Sequence, residues 1–581
     1  MTYLFNDPSD FAKELTEGIV AANSEKLRQV SGGVVRNTKT ADGTVVVIIG
    51  GGSGHYPAFA GLVGQGMAHG AAMGNLFASP SAQQIYNVSK AANKGGGVVL
   101  AFGNYAGDVL HFGQAREKLR AEGIPCEIVL VTDDISSASV DEIEKRRGVA
   151  GDLTVFKVAC AAADAGYSLD EVVAFAKKAN SCTRTLGVAF AGCTLPGATE
   201  PLFSVPENRM AIGLGIHGEP GISESDIPLA DDLAELFIDR LMSEIPVGVS
   251  VNQGAKATVI LNGLGSVKYE ELFVVYRKVA KLLTERGVTV IEPEVGEFVT
   301  SFNMAGASLT IMWLDDDLEK FWKQPANAPA FRKGSVEPAP VLSPDEVQIE
   351  PQEIIPDASP ASRKSAACIF NILEAIHSTI KTNCEYLGHI DAVAGDGDHG
   401  IGMERGSRAA VEKAREMLDK GAGAGTLLGR AADEWADKAG GTSGAIWGVA
   451  LNSIASTIGD SLVPDAHRVA EGIKKAKEGI MHFGKAKVGD KTLVDVLVPF
   501  SEALCEQVQQ QKPLNDAWRI SSIVASDAAG ATANLLPKMG RARPLAEKSL
   551  GTPDAGAVSL SLIVNRIGQM IESQAPQVQE A

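Results

Sequence analysis

Paired thiols are missing from this chain of 581 residues. Its seven cysteines, at positions 126, 160, 182, 193, 368, 384 and 505, are odd in number and scattered, with no CxxC pair and no zinc-finger spacing. That excludes a disulfide framework and a thiolate zinc site, and it fits reduced thiols in the cytoplasm. Long apolar runs are missing too: no stretch of about 18 consecutive apolar residues occurs, so no membrane span is expected. The first residues, MTYLFNDPSDFAKEL, carry acids early and no basic segment ahead of an apolar run, so no secretory leader is expected. Positive charge is scarce, with 53 Lys and Arg against 71 Asp and Glu and a net charge of −18. A non-specific nucleic-acid or anionic-membrane partner is therefore not expected. An anionic substrate is still allowed, because a cation can bridge two negative groups. Aromatic residues make up only 6%.

Glycine, by contrast, is abundant at 62 residues, and much of it is clustered, which predicts several backbone-lined pockets. The length calls for two to four domains. An amphipathic helix is expected over 11–30. Gly43-Thr-Val-Val-Val-Ile-Ile-Gly50 is a buried strand that runs into Gly50-Gly-Gly-Ser-Gly-His55-Tyr-Pro57. A strand over 96–103 leads to Asn104 and Asp108, and one over 125–131 leads to Asp133 and Asp134. The turn 74–80 adds Ser79. A helical stretch over 153–179 follows, then strands near 256–261, 288–291 and 308–314. Strands alternating with helices predict an α/β fold with a largely parallel sheet, here in two α/β subdomains. Polar residues at strand ends are where such folds hold ligands. Residues 325–360 hold eight of the 26 prolines and read as an extended linker. From 361 onward, eight helical runs (362–386, 403–419, 426–438, 445–458, 465–480, 492–511, 513–535, 557–573) predict an all-helical domain. The expected division is 1–324, 325–360 and 361–581.

Four stretches carry chemistry. Gly213-Leu-Gly-Ile-His217-Gly-Glu-Pro-Gly221 cannot be a helix interior and presents one imidazole from a tight turn. A lone histidine of this kind is most often structural. His389-Ile-Asp391-Ala-Val-Ala-Gly-Asp396-Gly-Asp398-His399 puts three carboxylates within eight residues. Like charges so close call for a cation, and oxygen-only ligands select Mg²⁺ or Ca²⁺. The spacing is not that of an EF-hand, and a solvated acidic loop is the plainer alternative. Gly440-Gly441-Thr442-Ser443-Gly444 ahead of a helix near Ala445 suits a phosphate. Gly484-Lys-Ala-Lys-Val-Gly-Asp490-Lys491-Thr492 comes nearest to a Walker A loop but fails, with Asp490 where the lysine belongs. Arg541 and Arg543 offer cations, and Asp554 closes another tight acidic turn. Metal acids, a hydroxyl-glycine loop and an arginine are the parts that bind Mg-nucleotide and stabilise phosphoryl transfer.

Taken in order, GGGSGHYPAFAG, GNLFASPSAQQ, GNYAGDVLHF, GDLTVFKVACAAADAG, GLGIHGEPG, DAVAGDGDHG, GGTSG, VGDKTLVD and GRA resemble the single-chain, ATP-dependent dihydroxyacetone (glycerone) kinases along nearly the whole chain. The resemblance implies a first domain that holds the ketose and a second that holds ATP. It implies that His217 forms a covalent hemiaminal with the substrate carbonyl, that His55 and Asp108 activate the reacting hydroxyl, and that Gly52 and Ser79 contact substrate. Asp391, Asp396 and Asp398 would hold two Mg²⁺, with His399, Gly441, Thr442, Ser443, Arg541 and Asp554 at the nucleotide. Three places depart from the family pattern: Arg543-Pro-Leu after the arginine of GRA, Asp554-Ala-Gly-Ala for the usual Asp-Pro-Gly-Ala, and no acid in Asn208-Arg-Met-Ala-Ile.

The implied reaction is phosphorylation of dihydroxyacetone to dihydroxyacetone phosphate. An erythrulose (D or L) kinase is the same-class alternative. Two others differ in class: a non-enzymatic ketose-binding regulator, and a lyase releasing cyclic FMN from FAD. Since phosphoryl transfer needs contact of about 3 Å, the helical domain is expected to cap an α/β domain. The resemblance further implies a homodimer, in which the two domains can be crossed over.

Overall fold

The computed structural model describes residues 4–219, 221–249, 251, 254–343, 346, 354–393, 395, 397–539 and 547–574. Two compact units divide the chain, Met1–Pro351 and Gln352–Ala581.

In the first unit, runs of Val, Ile and Ala form strands buried on both faces. The first sheet holds β1 (Leu27–Val30), β2 (Gly33–Arg36), β3 (Val46–Ser53), β4 (Gly70–Leu76), β5 (Val98–Gly103) and β6 (Cys126–Val131), ordered β1-β2-β4-β3-β5-β6. From β4 to β6 the strands are parallel, while β1 and β2 join antiparallel. The chain leaves β3 to one side for β4 and then crosses to the other side for β5. The carboxyl ends of β3 and β5 therefore flank a topological switch point, where open α/β sheets leave a crevice.

The second sheet holds β7 (Thr183–Ala191), β8 (Arg209–Ile212), β9 (Ser223–Asp226), β10 (Lys256–Gly263), β11 (Thr289–Val290), β12 (Glu294–Gly296) and β13 (Ala305–Leu314). Its order is β11-β10-β13-β7-β8-β9, with β12 also on β10. The β10–β13, β13–β7, β7–β8 and β8–β9 pairs are antiparallel, and only β11 and β12 run parallel to β10. The largely parallel sheet expected from sequence thus describes the first subdomain and not the second. Helix Asp152–Asp164 is buried at every position up to Ala163, and one apolar cluster joins it to both sheets. A helix apolar all round is a core helix.

Three boundaries differ from the sequence expectation. The first helix ends at Ala22, and Leu27–Val30 turns back as β1 against β2 through Gly32, at φ 92°. The helical stretch near 153–179 is two helices, Asp152–Asp164 and Leu169–Ser181, broken at Gly166, whose φ of 83° no helix continues. Residues 325–342, expected to be linker, fold onto the first unit. Ala326–Asn327 pairs with Arg332–Lys333, Thr38 bridges Val341, and Ala328 and Phe331 are buried in the core.

The second unit is all helix among the described residues: Pro360–Asp391, His399–Asp419, Ala424–Ala439, Gly441–Ile458, Ala466–Gly484, Val494–Gln509, Leu514–Ala531 and Ala555–Gln574. Each helix packs on the next, and the eighth returns onto the first, so the ring closes around its own apolar core. Ser359 caps the first helix by accepting from Ser362 N at 3.0 Å, with Pro360 following it at the start.

Candidate active site: two half-sites

At the switch point, β3 ends in Gly51-Gly52-Ser53 and delivers His55. A Cβ on Gly52 would lie 2.7 Å from Ala78 N and 2.8 Å from Phe77 Cα, so only glycine lets the turn after β4 close against β3. That turn brings Ser79. Helix Ala106–Ala121 follows β5 and carries Asp108 in its first turn. His217 arrives from the turn after β8. There a Cβ on Gly215 would sit 2.1 Å from Glu219 Oε2, and Gly218 has φ 84°.

A strap between β12 and β13 fixes both histidines. Thr300 O lies 2.7 Å from His55 Nδ1, Ser301 Oγ donates to Ile216 O at 2.5 Å, and Phe302 N donates to Gly54 O at 2.8 Å. The result is a 3.0 Å contact between His55 Nε2 and His217 Nε2. Phe77 and Tyr105 wall this pair, their ring centroids 5.7 Å and 4.5 Å from that of His217, both edge to face. Tyr105 Oη donates to Gly148 O at 2.8 Å, which holds its ring in place.

The partners fix the protons. A carbonyl only accepts, so His55 carries its hydrogen on Nδ1 and presents a lone pair at Nε2. His217 Nδ1 faces Glu219 Oε1 at 3.2 Å, and Glu219 Oε2 accepts from His217 N at 3.0 Å. A neutral His217 donating at Nδ1 would set two lone pairs against each other across 3.0 Å, so a second proton belongs between the Nε2 atoms. His55 itself is pushed down to about 3, first by burial and then by the neighbouring His217. Burial alone would raise the Glu219 carboxyl, but His217 and Arg147 outweigh it and hold Glu219 well below the usual range. Arg147 is itself fixed by Asp134 at 2.8 Å.

Asp108 is pushed up to about 6 by burial, against opposing pulls from the Ser79 hydroxyl and His217. Its Oδ1 and Ser79 Oγ are both buried without a hydrogen bond of good geometry. Two orphaned polar atoms beside a histidine pair point to a missing polar ligand. Asp133, also at a strand end, is structural: its carboxylate accepts from Val149 N at 2.9 Å and Gly151 N at 2.8 Å ahead of helix Asp152–Asp164.

In the helical unit, Asp391 is the last residue of the first helix and not part of the loop beyond it. Its Oδ2 accepts from His399 N at 3.3 Å. Asp398 precedes the second helix without capping it, and burial, then Asp391, raises its pKa. His399 bridges two helices, with Nε2 3.0 Å from Ser559 Oγ and Nδ1 3.4 Å from Ser443 Oγ. The fourth helix begins at Gly441 and not near Ala445. Thr442 and Ser443 therefore lie in its first turn, after Gly440 and Gly441 at φ 61° and 57°. Asp554 caps the last helix, accepting from Ala557 N at 2.7 Å, and burial pushes it up to about 7.

Asp396 and Arg541 lie outside the described residues, and among the described residues no three acid, histidine or cysteine side chains are grouped for a metal. Asp391 and Asp398, two oxygen donors that repel each other beside a helix N-terminus, fit Mg²⁺ with a phosphate ligand.

The structure thus gathers His55, Ser79, Asp108 and His217 in one half-site beside Gly52. It gathers Asp391, Asp398, His399, Ser443 and Asp554 in the other, with Gly441 and Thr442 at its helix entry. Glu219, Phe77, Tyr105, Thr300 and Ser559 escaped the sequence reading. Glu219 could have been found, since it stands two residues from His217 in a turn too tight for it to point far away. Thr300 could not: 245 residues separate it from His55.

A Dak1 domain matches residues 17–330 and a DAK2 domain matches residues 393–569. The chain is 63% identical to an L-erythrulose kinase of Pectobacterium atrosepticum, over 99% of this chain and 97% of that one. It is 49% identical to a D-erythrulose kinase of Mycolicibacterium smegmatis, over 98% and 99%. The crystal structure of the dihydroxyacetone kinase from C. freundii in complex with AMP-PNP and Mg²⁺ superposes with a TM-score of 0.52 at 27% identity, covering 98% of this chain and 99% of that one.

Proposed function

Because the chain belongs to the single-chain dihydroxyacetone kinase family, with its Dak1 and DAK2 domains in that order, we propose that it transfers the γ-phosphoryl group of ATP to a terminal hydroxyl of L-erythrulose, ahead of dihydroxyacetone. The 63% identity with an L-erythrulose kinase carries the four-carbon choice over the three-carbon ketose first expected. The complete His55–Asp108–His217 constellation speaks for an enzyme and against a ketose-binding regulator, which has no need of a base.

His217 is the nucleophile in this reading. The proton shared between the two Nε2 atoms moves onto His55 Nε2, which frees the His217 Nε2 lone pair to attack the ketone carbon, and His55 then passes that proton to the carbonyl oxygen, forming a hemiaminal. The imidazolium that remains keeps its Nδ1 hydrogen on Glu219, which balances the charge. Ser79 and Asp108 use their orphaned oxygens on the substrate hydroxyls. Asp108 takes the proton of the terminal hydroxyl as it is phosphorylated. Phe77 and Tyr105 keep water from the adduct. Asp391 and Asp398, with Asp396 between them, would hold Mg²⁺, and Ser443 and His399 would face the nucleotide. When bound, Mg-ATP supplies the phosphoryl group and the charge that draws its electrons.

ADP release measured over L-erythrulose, D-erythrulose and dihydroxyacetone tests the reading. The expected order of kcat/KM is L-erythrulose first. A tenfold preference for dihydroxyacetone overturns the four-carbon choice, and no turnover with any of the three overturns the kinase. Intact-mass measurement should find one ketose bound to the wild type and none to His217→Ala. Normal kcat/KM in that variant removes the covalent role.

A further inference from the structure

The segment Gly489-Asp490-Lys491-Thr492, which fails as a Walker A loop, falls at the nucleotide half-site of the folded chain. Lys491 lines a cavity with Asp391, Gly395, Ser549, Thr552 and Asp554, and among the described residues it is the cavity's one cation. Its side chain is drawn inward, with 5% of the residue exposed. Nζ donates to Ser549 O at 2.7 Å and to Ser549 Oγ at 3.1 Å. An ammonium has three N–H groups, so one is left to point elsewhere.

The backbone is held in an unfavourable form to achieve this. Lys491 has φ 59°, a left-handed conformation that a residue with a Cβ avoids. The neighbouring Asp495 enforces it, accepting from Gly489 N at 2.5 Å and Thr492 N at 2.8 Å. A strained, buried lysine aimed among carboxylates is out of place as a surface charge, and strain of this kind collects at ligand sites.

On the reading that this unit binds Mg-ATP, we propose that Lys491 is a phosphate-binding residue of the nucleotide half-site, its free N–H directed to the terminal phosphate. Ser549 then acts as the rest that aims the ammonium. A cation here has a chemical purpose, since the triphosphate brings more negative charge than Mg²⁺ alone offsets. It does what the lysine of a Walker loop does, from a turn of unrelated spacing.

Affinities of the full-length protein for adenosine, ADP and AMP-PNP, each with Mg²⁺, test this by titration calorimetry. Lys491→Met should bind AMP-PNP at least tenfold more weakly and ADP less so, with adenosine unchanged. Lys491→Arg should keep most of the AMP-PNP affinity. Lys491→Gln can still donate to Ser549 O, so it separates the charge from the tie and should also lose AMP-PNP selectively. Equal weakening of all three ligands in the Gln variant marks a purely structural tie and overturns the proposal, as does unchanged AMP-PNP binding. Should the wild type bind none of the three, the nucleotide reading of the whole unit falls, and this proposal with it.

Discussion

At the scale of single residues, the proposed ketose half-site turns on where protons sit. In the proposed reaction Glu219 keeps one of them on His217 Nδ1, so that Nε2 bonds to the ketone once the shared proton has passed to His55. Glu219→Gln keeps the shape but can turn its amide NH₂ to Nδ1 and favour the other tautomer. We expect kcat/KM for the ketose to fall about 10²- to 10⁴-fold, since holding a catalytic histidine in the wrong tautomer costs up to about 10⁴, while AMP-PNP affinity is untouched. An unaltered kcat/KM would leave Glu219 a mere turn-former. In the proposed mechanism Asp108 sets the pH limb. Raised from 3.8 to about 6 by burial, it must be ionised to act as base, so kcat/KM should climb as pH rises through about 6 and then level. Folding has the opposite preference. The protonated form is the one favoured in the folded state, so this group's contribution to stability is full below about pH 4 and is lost as pH rises through about 6. Asp108→Asn should abolish the limb and lower kcat by about 10² to 10⁴.

At the scale of elements, the ends of strands do the positioning, and glycine permits it. Gly52→Ala would push a methyl group to within 2.8 Å of two backbone atoms of the 77–78 turn. Overpacking of that kind costs about 1–3 kcal/mol, seen here as a lower Tm, and it should also displace His55 and Ser79 and raise the ketose KM. Much of this was legible in the chain. Runs such as Val46-Val-Ile-Ile49 ending in glycine announce a buried strand and a ligand turn, and the helical texture after 361 gave eight helices with boundaries displaced by a few residues. What stayed hidden was non-local. The antiparallel pairing of β7, β10 and β13 leaves no mark in any one strand. The strap carrying Thr300 and Ser301 acts on His55 and on the turn of His217 from far along the sequence. Helix ends misled as well, because Asp391 and Thr442 continue helices that glycine-rich flanks made look like loop.

At the scale of the molecule, the chain keeps two sets of apolar clusters with no residue in common, one set per unit. Scanning calorimetry should therefore resolve two transitions. AMP-PNP with Mg²⁺ at 100 times its Kd should stabilise one unit by about 2.7 kcal/mol, and the ketose should shift the other. A single transition moved equally by both ligands would mean that the units unfold as one. The histidine pair has a further consequence for what the molecule can use. A site that grips its substrate by bonding to the ketone carbon needs that carbon free. Sugars with a hydroxyl three carbons along the chain from the carbonyl carbon close into five-membered rings and offer a hemiketal instead. Ketoses of three or four carbons lack that hydroxyl and remain open. In the proposed covalent mechanism the imidazole therefore selects by chain length before any wall of the pocket is touched, and five- and six-carbon ketoses in the same solution would be turned away by their own cyclisation.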